Sequence, residues 1–290
     1  MKLLPNFLPA DLKRDLAGVQ RHVTQCQGAA TVWHTWGEAD RPVVVLLHGG
    51  SGSWTHWVRN IAALRDAGWR VLVPDLPGFG DSELPSGCTD VDALPVHLHE
   101  GLRQLNPVGS VALVGFSFGG MAAALWLEAF PQDAQHLVLV GAPGMGFALP
   151  ERIPLKGWRH LPTPEAQTEV HRHNLMALML QDPTALDGLA LSLHAANVQR
   201  DRMPRRRLSS TDIVAQALPR LTCRISAMYG EHDALYRWRL PEVHLAMQAW
   251  AKNWGQWHTV PGAGHWVQFE AAAPFNLALL NTLGLVPQTL

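Results

Sequence analysis

Charge is scarce in this chain of 290 residues: 16% are Asp, Glu, Lys or Arg, while 47% are hydrophobic. An average soluble domain carries roughly a quarter charged residues. Lys+Arg 23 against Asp+Glu 24 leaves a formal net charge of -1. The chain therefore lacks the low hydrophobicity and high net charge of a disordered protein. It also lacks the basic footprint that nucleic acid or an anionic membrane attracts. Cysteine is equally sparse. Cys26, Cys88 and Cys223 are odd in number, far apart and without a CxxC pair, which argues against a disulfide framework or a zinc site and fits a reducing compartment. No run reaches the ~20 apolar residues that span a bilayer. The apolar start MKLLPNFLPADLKRDL is broken by Pro5, Asn6, Pro9 and Asp11, so it does not read as a signal peptide. These absences predict a cytoplasmic protein with a small-molecule partner, no nucleic acid and no membrane; a homodimer is one open assembly state. Two tyrosines stand against twelve tryptophans and fifteen histidines, an imbalance whose meaning depends on where those rings fall.

What is present is an alternation of short apolar runs with helical patterns. Val43 to Leu47 (VVVLL) is continuous, too short for a helix, and ends at His48-Gly49-Gly50; such runs suit strands buried on both faces of a parallel sheet. Further strands are predicted over Trp69–Val73, Val111–Val114, Leu137–Val140, Ile225–Tyr229 and Trp257–Val260. Helices are predicted over Val58–Ala67, Val91–Leu105, Phe118–Phe130, Val243–Lys252 and Val267 to about Leu283. Alternation of this kind argues for βαβ units and an α/β fold. Between about Gly144 and Arg220 strand-like runs vanish and prolines cluster at Pro150, Pro154, Pro162 and Pro164. Helical stretches such as Asn174–Leu180 and Ala185–Ala196 take over there. The reading is one core, residues 1–144 and 219–290, split by a helical insertion at 145–218.

The chemistry is carried by three strand ends. Gly115-Phe116-Ser117-Phe118-Gly119-Gly120 follows the VALV strand and opens an Ala-rich helix. This is G-x-S-x-G in the strand–turn–helix context that makes it a nucleophile elbow. A serine hydroxyl needs a base, and the base needs an orienting acid. In this strand pattern the expected order is Ser, then acid, then His. Asp233 in Tyr229-Gly230-Glu231-His232-Asp233 and His265 in Gly262-Ala263-Gly264-His265 each follow a predicted strand. Ser117, Asp233 and His265 are the candidate triad, with Glu231 and Asp75 as rival acids and His232 as a rival base. An oxyanion hole needs two N–H donors: one from Phe118, after the nucleophile, and one from the loop after the first long strand. Gly50 is the candidate there, since close backbone approach needs no side chain in the way. A Walker loop would require Gly-Lys-Ser/Thr, which is missing. His48 reads as a structural hydrogen-bonder.

With these segments in place (LLHGG at 46–50, DLPGFGDS at 75–82, GFSFGG at 115–120, YGEHD at 229–233 and GAGHWVQFE at 262–270) the sequence resembles the α/β-hydrolase superfamily along almost its whole length. That resemblance implies a mostly parallel sheet flanked by helices and a cap over the active site at 145–218; no cofactor is expected. The segment GHWVQFEAAAPFN resembles the meta-cleavage product hydrolases, which cleave carbon–carbon bonds of ring-fission dienoates. That group typically carries Asn where this chain has Phe116, and Gly-Pro-Gly where it has Ser51-Gly52-Ser53. GFSFGG is more similar to the esterase and haloperoxidase-like branches. Epoxide hydrolases and haloalkane dehalogenases use an Asp nucleophile. The expected function is serine hydrolysis of a small, largely apolar ester or dienoate. Acyl transfer or haloperoxidase-like activity on the same triad, and a small-molecule receptor on the same fold, are the alternatives.

The predicted cap contains Arg200, Arg202, Arg205, Arg206 and Arg207 against Asp201. One of these arginines could clamp a substrate carboxylate, or the group is a solvated face. Ser51, Trp54, Trp57, Phe116 and Trp266, with His56, flank the catalytic loops and are candidates to line the substrate pocket. For the tryptophans, core packing is the competing reading. Trp250 and Trp254, four apart, are expected on one packed helix face. His97 with His99, and His171 with His173, are two apart and point away from each other on a helix, so no metal is assigned.

Overall fold

The computed structural model describes residues 4–106, 108–147 and 152–284. Residues 1–3 of the apolar start and Pro150 of the proline cluster lie outside the described residues. Eight strands make one sheet in the order β1-β2-β4-β3-β5-β6-β7-β8. They are β1 (Gln20–Cys26), β2 (Ala29–Trp36), β3 (Val43–Leu47), β4 (Arg70–Pro74), β5 (Val111–Phe116), β6 (Ala134–Val140), β7 (Arg224–Gly230) and β8 (Trp254–Val260). The pairs β1/β2 and β2/β4 are antiparallel, and the others are parallel. Every residue of β3 and β5 is buried, as their unbroken apolar runs require.

The described residues form ten helices: α1 (Ala10–Asp15), α2 (Ile61–Asp66), α3 (Pro95–Leu105), α4 (Phe118–Ala129), α5 (Pro164–Asn174), α6 (Gly188–Gln199), α7 (Ile213–Ala217), α8 (Leu240–Trp250), α9 (Val267–Glu270) and α10 (Ala272–Leu283). One apolar cluster packs α3, α4, α7 and α8 on one face, and a second packs α2, α9 and α10 on the other. The helix ends follow local chemistry. Thr163 caps α5 by accepting from Ala166 N–H, with Pro164 at the first helical position, and Asp187 caps α6 through Ala190 N–H. Both are the short polar acceptors that helix starts favour. Among the described residues no helix is long and apolar enough to cross a membrane.

Several boundaries differ from expectation. The helix predicted at Val58 begins at Ile61, after a short 3₁₀ turn at Trp54–Trp57. The helix predicted over Asn174–Leu180 is instead the end of α5 followed by one π turn, Leu175–Met179. The last helix breaks at Ala271, whose backbone is non-helical (φ -119°, ψ 53°), into α9 and α10. Trp250 ends α8 and Trp254 begins β8, so they share no helix face. Trp250 packs on Phe147, and Trp254 on His244.

The sheet order positions the site. β4 and β5 lie on opposite sides of β3, so the chain leaves β3 in one direction and returns on the other. In open α/β sheets that reversal leaves a crevice at the strands' C-terminal ends where ligands bind. The loop after β3 and the turn after β5 both open onto it.

Candidate active site

Ser117 sits between β5 and α4 with φ 51° and ψ -118°, a conformation that L-residues other than glycine rarely adopt. The turn is held by neighbours. Ser117 N–H donates to Val140 O at 2.8 Å, and Ser117 O accepts from Gly120 N–H at 2.8 Å. A side chain at Gly119 would lie 2.5 Å from the carbonyl oxygens of both Leu47 and His48, so α4 can press against the end of β3 only with glycine there.

The three candidate triad residues come together. Ser117 Oγ is 3.0 Å from His265 Nε2, and His265 Nδ1 is 2.9 and 3.0 Å from the two oxygens of Asp233. Asp233 is fully buried and also accepts from Leu235 N–H at 2.9 Å. Its carboxylate cannot be solvated by water, so it is held by the imidazole and a backbone donor. Gly141, after β6, was not singled out from the sequence. It has φ 54°, and a side chain on it would come within 3.0 Å of Asp233 Oδ2 and 3.1 Å of the His265 ring. A glycine closing the strand next to the nucleophile's was the available signal.

The rivals lie elsewhere. Glu231 is half exposed and accepts from Gly262 N–H, with His232 3.8 Å from its carboxylate. Asp75 is fully buried, and its carboxylate accepts from Trp54 N–H and Asp81 N–H at 2.8 Å each. Burial pushes its pKa up, with neighbouring His48 opposing. His48 is a brace: its Nε2 accepts from Leu76 N–H at 2.9 Å while Nδ1 lies 2.8 Å from Gly49 O. Burial lowers its pKa to about 4, so the ring is neutral and can accept on one nitrogen and donate on the other.

A cavity of about 660 Å³ opens above these groups. Gly50, Ser51, Phe116, Ser117, Phe118 and His265 all line it. A side chain at Gly50 would be 3.6 Å from Phe118 Cβ, so the two candidate oxyanion donors are neighbours. Phe118 opens α4, and its N–H is among those with no partner inside the helix. Apolar walls come from Met145, Phe147, Leu178, Met179 and Leu235, and a polar flank comes from Arg206, Ser209, Ser210 and Thr211.

Trp54, Trp57 and Trp266 are not brought to the cavity. Trp57 is fully buried against Phe275, and Trp266 stacks on Phe269 with ring centroids 4.1 Å apart. Trp54 packs on His34 and Trp36. Their flat rings fill the layer beneath the loops, where apolar area is removed from water. His56 belongs to the same layer. Its Nδ1 accepts from Gly49 N–H at 3.2 Å, and burial holds its pKa well below the ordinary histidine value.

The arginines divide by position. Arg200 pairs with Asp81 at 3.0 Å, and Arg202 donates to the carbonyls of Phe79, Gly80 and Ser82. The backbone N–H groups of Arg207 and Leu208 donate to Asp90 at 2.5 and 3.0 Å. Arg206 alone of the five reaches the cavity.

Comparison with known proteins speaks to the family and the fold. The chain is 29% identical over 252 residues to a 2-hydroxy-6-oxo-6-phenylhexa-2,4-dienoate hydrolase of Burkholderia cepacia, covering 83% of this chain and 87% of the relative. It is 27% identical over 251 residues, with the same coverage, to a 2-hydroxy-6-oxononadienedioate/2-hydroxy-6-oxononatrienedioate hydrolase of Comamonas testosteroni. Among solved structures, a meta-cleavage product hydrolase from Pseudomonas fluorescens superposes with TM-score 0.73 at 23% identity, covering 90% of this chain and 97% of that one. A carboxylesterase from Bacillus subtilis superposes with TM-score 0.75 at 19% identity, covering 94% of each; at such identities these two likenesses speak for the fold. The model of the alpha/beta hydrolase family matches residues 44–278, and the chain belongs to that family.

Proposed function

We propose that this protein is a serine hydrolase that cleaves a small, largely apolar organic substrate at a carbonyl carbon, with Ser117 as nucleophile. The observation that carries the reading is the continuous relay from Ser117 Oγ through His265 to buried Asp233, opening onto the cavity. His265 Nε2 takes the hydroxyl proton as Ser117 attacks, and Asp233 holds the imidazole in the tautomer that leaves Nε2 free to accept. The N–H groups of Gly50 and Phe118 receive the charge that develops on the carbonyl oxygen. His265 then returns the proton to the departing group, oxygen for an ester or carbon for a dienoate, and water releases the acyl chain by the same route.

Two substrate classes fit. Cleavage of a ring-fission dienoate is favoured by the curated relatives, which bear that activity in their names, and by two arginines, Arg152 and Arg206, in the lining of the chamber, where a substrate carboxylate could pair. Ester cleavage is favoured by Phe116, a buried ring lining the cavity just before the nucleophile. Parallel turnover assays with p-nitrophenyl esters of two to eight acyl carbons (roughly the span that such a chamber encloses) and with a 2-hydroxy-6-oxo-dienoate separate them. The dienoate reading expects kcat/KM for the dienoate to exceed that of every ester. The reverse order assigns the protein to esterases, and no turnover of either contradicts the proposal.

A further inference from the structure

We infer that Asp201 is a positioning residue for the loop that presents Gly50, so that seating the cap completes the oxyanion site. The inference rests on the serine-hydrolase reading. Asp201 lies just beyond α6 and its side chain is 7% exposed. It accepts from Ser51 Oγ at 2.6 Å, from Arg206 Nη1 at 3.0 Å on both oxygens, and from Met203 N–H at 2.8 Å. Arg206 Nη2 donates to Ser51 Oγ at 3.1 Å, which closes a ring of three side chains across the boundary between cap and core.

Each member of the ring bears on the oxyanion loop. Ser51 directly follows Gly50 and has φ 51°, a left-handed conformation that needs support from its surroundings when the residue is not glycine. Its hydroxyl is gripped by Asp201 and Arg206, both from the cap. The Arg206 guanidinium lies over the rings of Phe79 and Phe118 at 5.1 and 5.3 Å, and its Nη2 is 3.3 Å from the point a Gly50 side chain would occupy. The cap thus holds the residue after one oxyanion donor and covers the other. Arg200 and Arg202 also fasten the cap, but to the turn after β4, without a hydrogen bond to this loop. Donors aimed at a developing oxyanion act in the transition state far more than in the bound ground state. A slackened loop therefore lowers kcat more than it raises KM.

The test is hydrolysis of p-nitrophenyl butyrate and the rate of Ser117 labelling by a fluorophosphonate. Both are measured on the full chain and on D201A, D201N, S51A, the D201A/S51A double variant and R200Q, with melting temperatures taken alongside. D201A and S51A are expected to lose about tenfold or more in kcat, with KM changed less than about threefold. The double variant falls no further than D201A, because both act through one contact. D201N, which keeps an acceptor for the Ser51 hydroxyl, recovers part of the loss, and R200Q stays within about twofold of the parent. Should D201A not fold, D201N and S51A carry the comparison. Unchanged kcat in folded S51A and D201N overturns the inference, as does an equal loss in R200Q, the mark of general loosening of the cap. A parent protein that neither turns over the ester nor takes the label overturns the hydrolase reading, and the inference with it.

Discussion

The indole of Trp266 donates to the carbonyl oxygen of His56 at 3.1 Å, which ties the residue after the candidate base to the turn that follows the oxyanion loop. Trp266 is 1% exposed, and its ring lies over His56 with centroids 5.0 Å apart. Trp266→Phe keeps a ring but leaves a buried carbonyl without its donor, a loss of about 1–3 kcal/mol. At roughly 2–4 °C per kcal/mol for a chain of this size, the melting temperature is expected to fall several degrees. KM for any substrate should stay within about twofold. A large rise in KM with unchanged stability would return Trp266 to the pocket wall.

Asp233→Asn is expected to leave the fold intact and to reduce kcat by about 10⁴. The amide would donate to His265 Nδ1 and impose the tautomer that cannot accept the Ser117 proton. Steady-state kinetics with a melting-temperature control check this. The corresponding change Glu231→Gln, at a half-exposed carboxylate that accepts from Gly262 N–H and has His232 3.8 Å away, should change kcat by less than about threefold.

Gly119→Ala tests the packing of the elbow. Its added carbon meets two backbone carbonyls at 2.5 Å, and backbone cannot rotate away as a side chain can. We expect a loss of about 1–3 kcal/mol or more in urea unfolding, together with lower activity as Ser117 shifts.

The acid side of the stability profile follows from the buried histidines. Burial lowers His34, His48 and His194 to about 4, and holds His56 well below its ordinary value. These rings are neutral in the folded chain and charge near pH 6.5 when unfolded, so the unfolded state binds more protons between about pH 6.5 and 4. Their contribution to stability is complete above pH 6.5 and is lost as pH falls toward 4. Proton uptake by one such ring is worth on the order of 3 kcal/mol. Urea midpoints measured across this range should drop steeply below pH 6.5. A flat profile would mean that these rings are hydrated in the folded state.

Much of this was legible in the sequence because it depends on local pattern. The runs VVVLL and VALV lie in strands buried on both faces; Ser117 directly follows the second of them, while Asp233 and His265 sit in the loops three and five residues beyond β7 and β8. The antiparallel pair β1 and β2 was not foreseen. β1 reads QRHVTQC, lies on an edge and buries only Thr24 fully, so it carries no continuous apolar signal. The tryptophans near the catalytic loops were legible as neighbours but not as packing, because sequence proximity does not say which side of a loop a ring faces. The role of Arg206 was least accessible. Its contact with Ser51 joins residues 155 apart, and only the folded chain distinguishes it from the arginines beside it.

We propose Ser117 as the nucleophile of a relay through His265 to Asp233. Incubation with a fluorophosphonate followed by mass analysis of the peptide bearing residue 117 tests it most directly. One stoichiometric adduct on Ser117 is expected, abolished in Ser117→Ala and slowed by about a hundredfold or more in His265→Ala. An adduct that persists in Ser117→Ala, or no adduct on the intact protein, would contradict it.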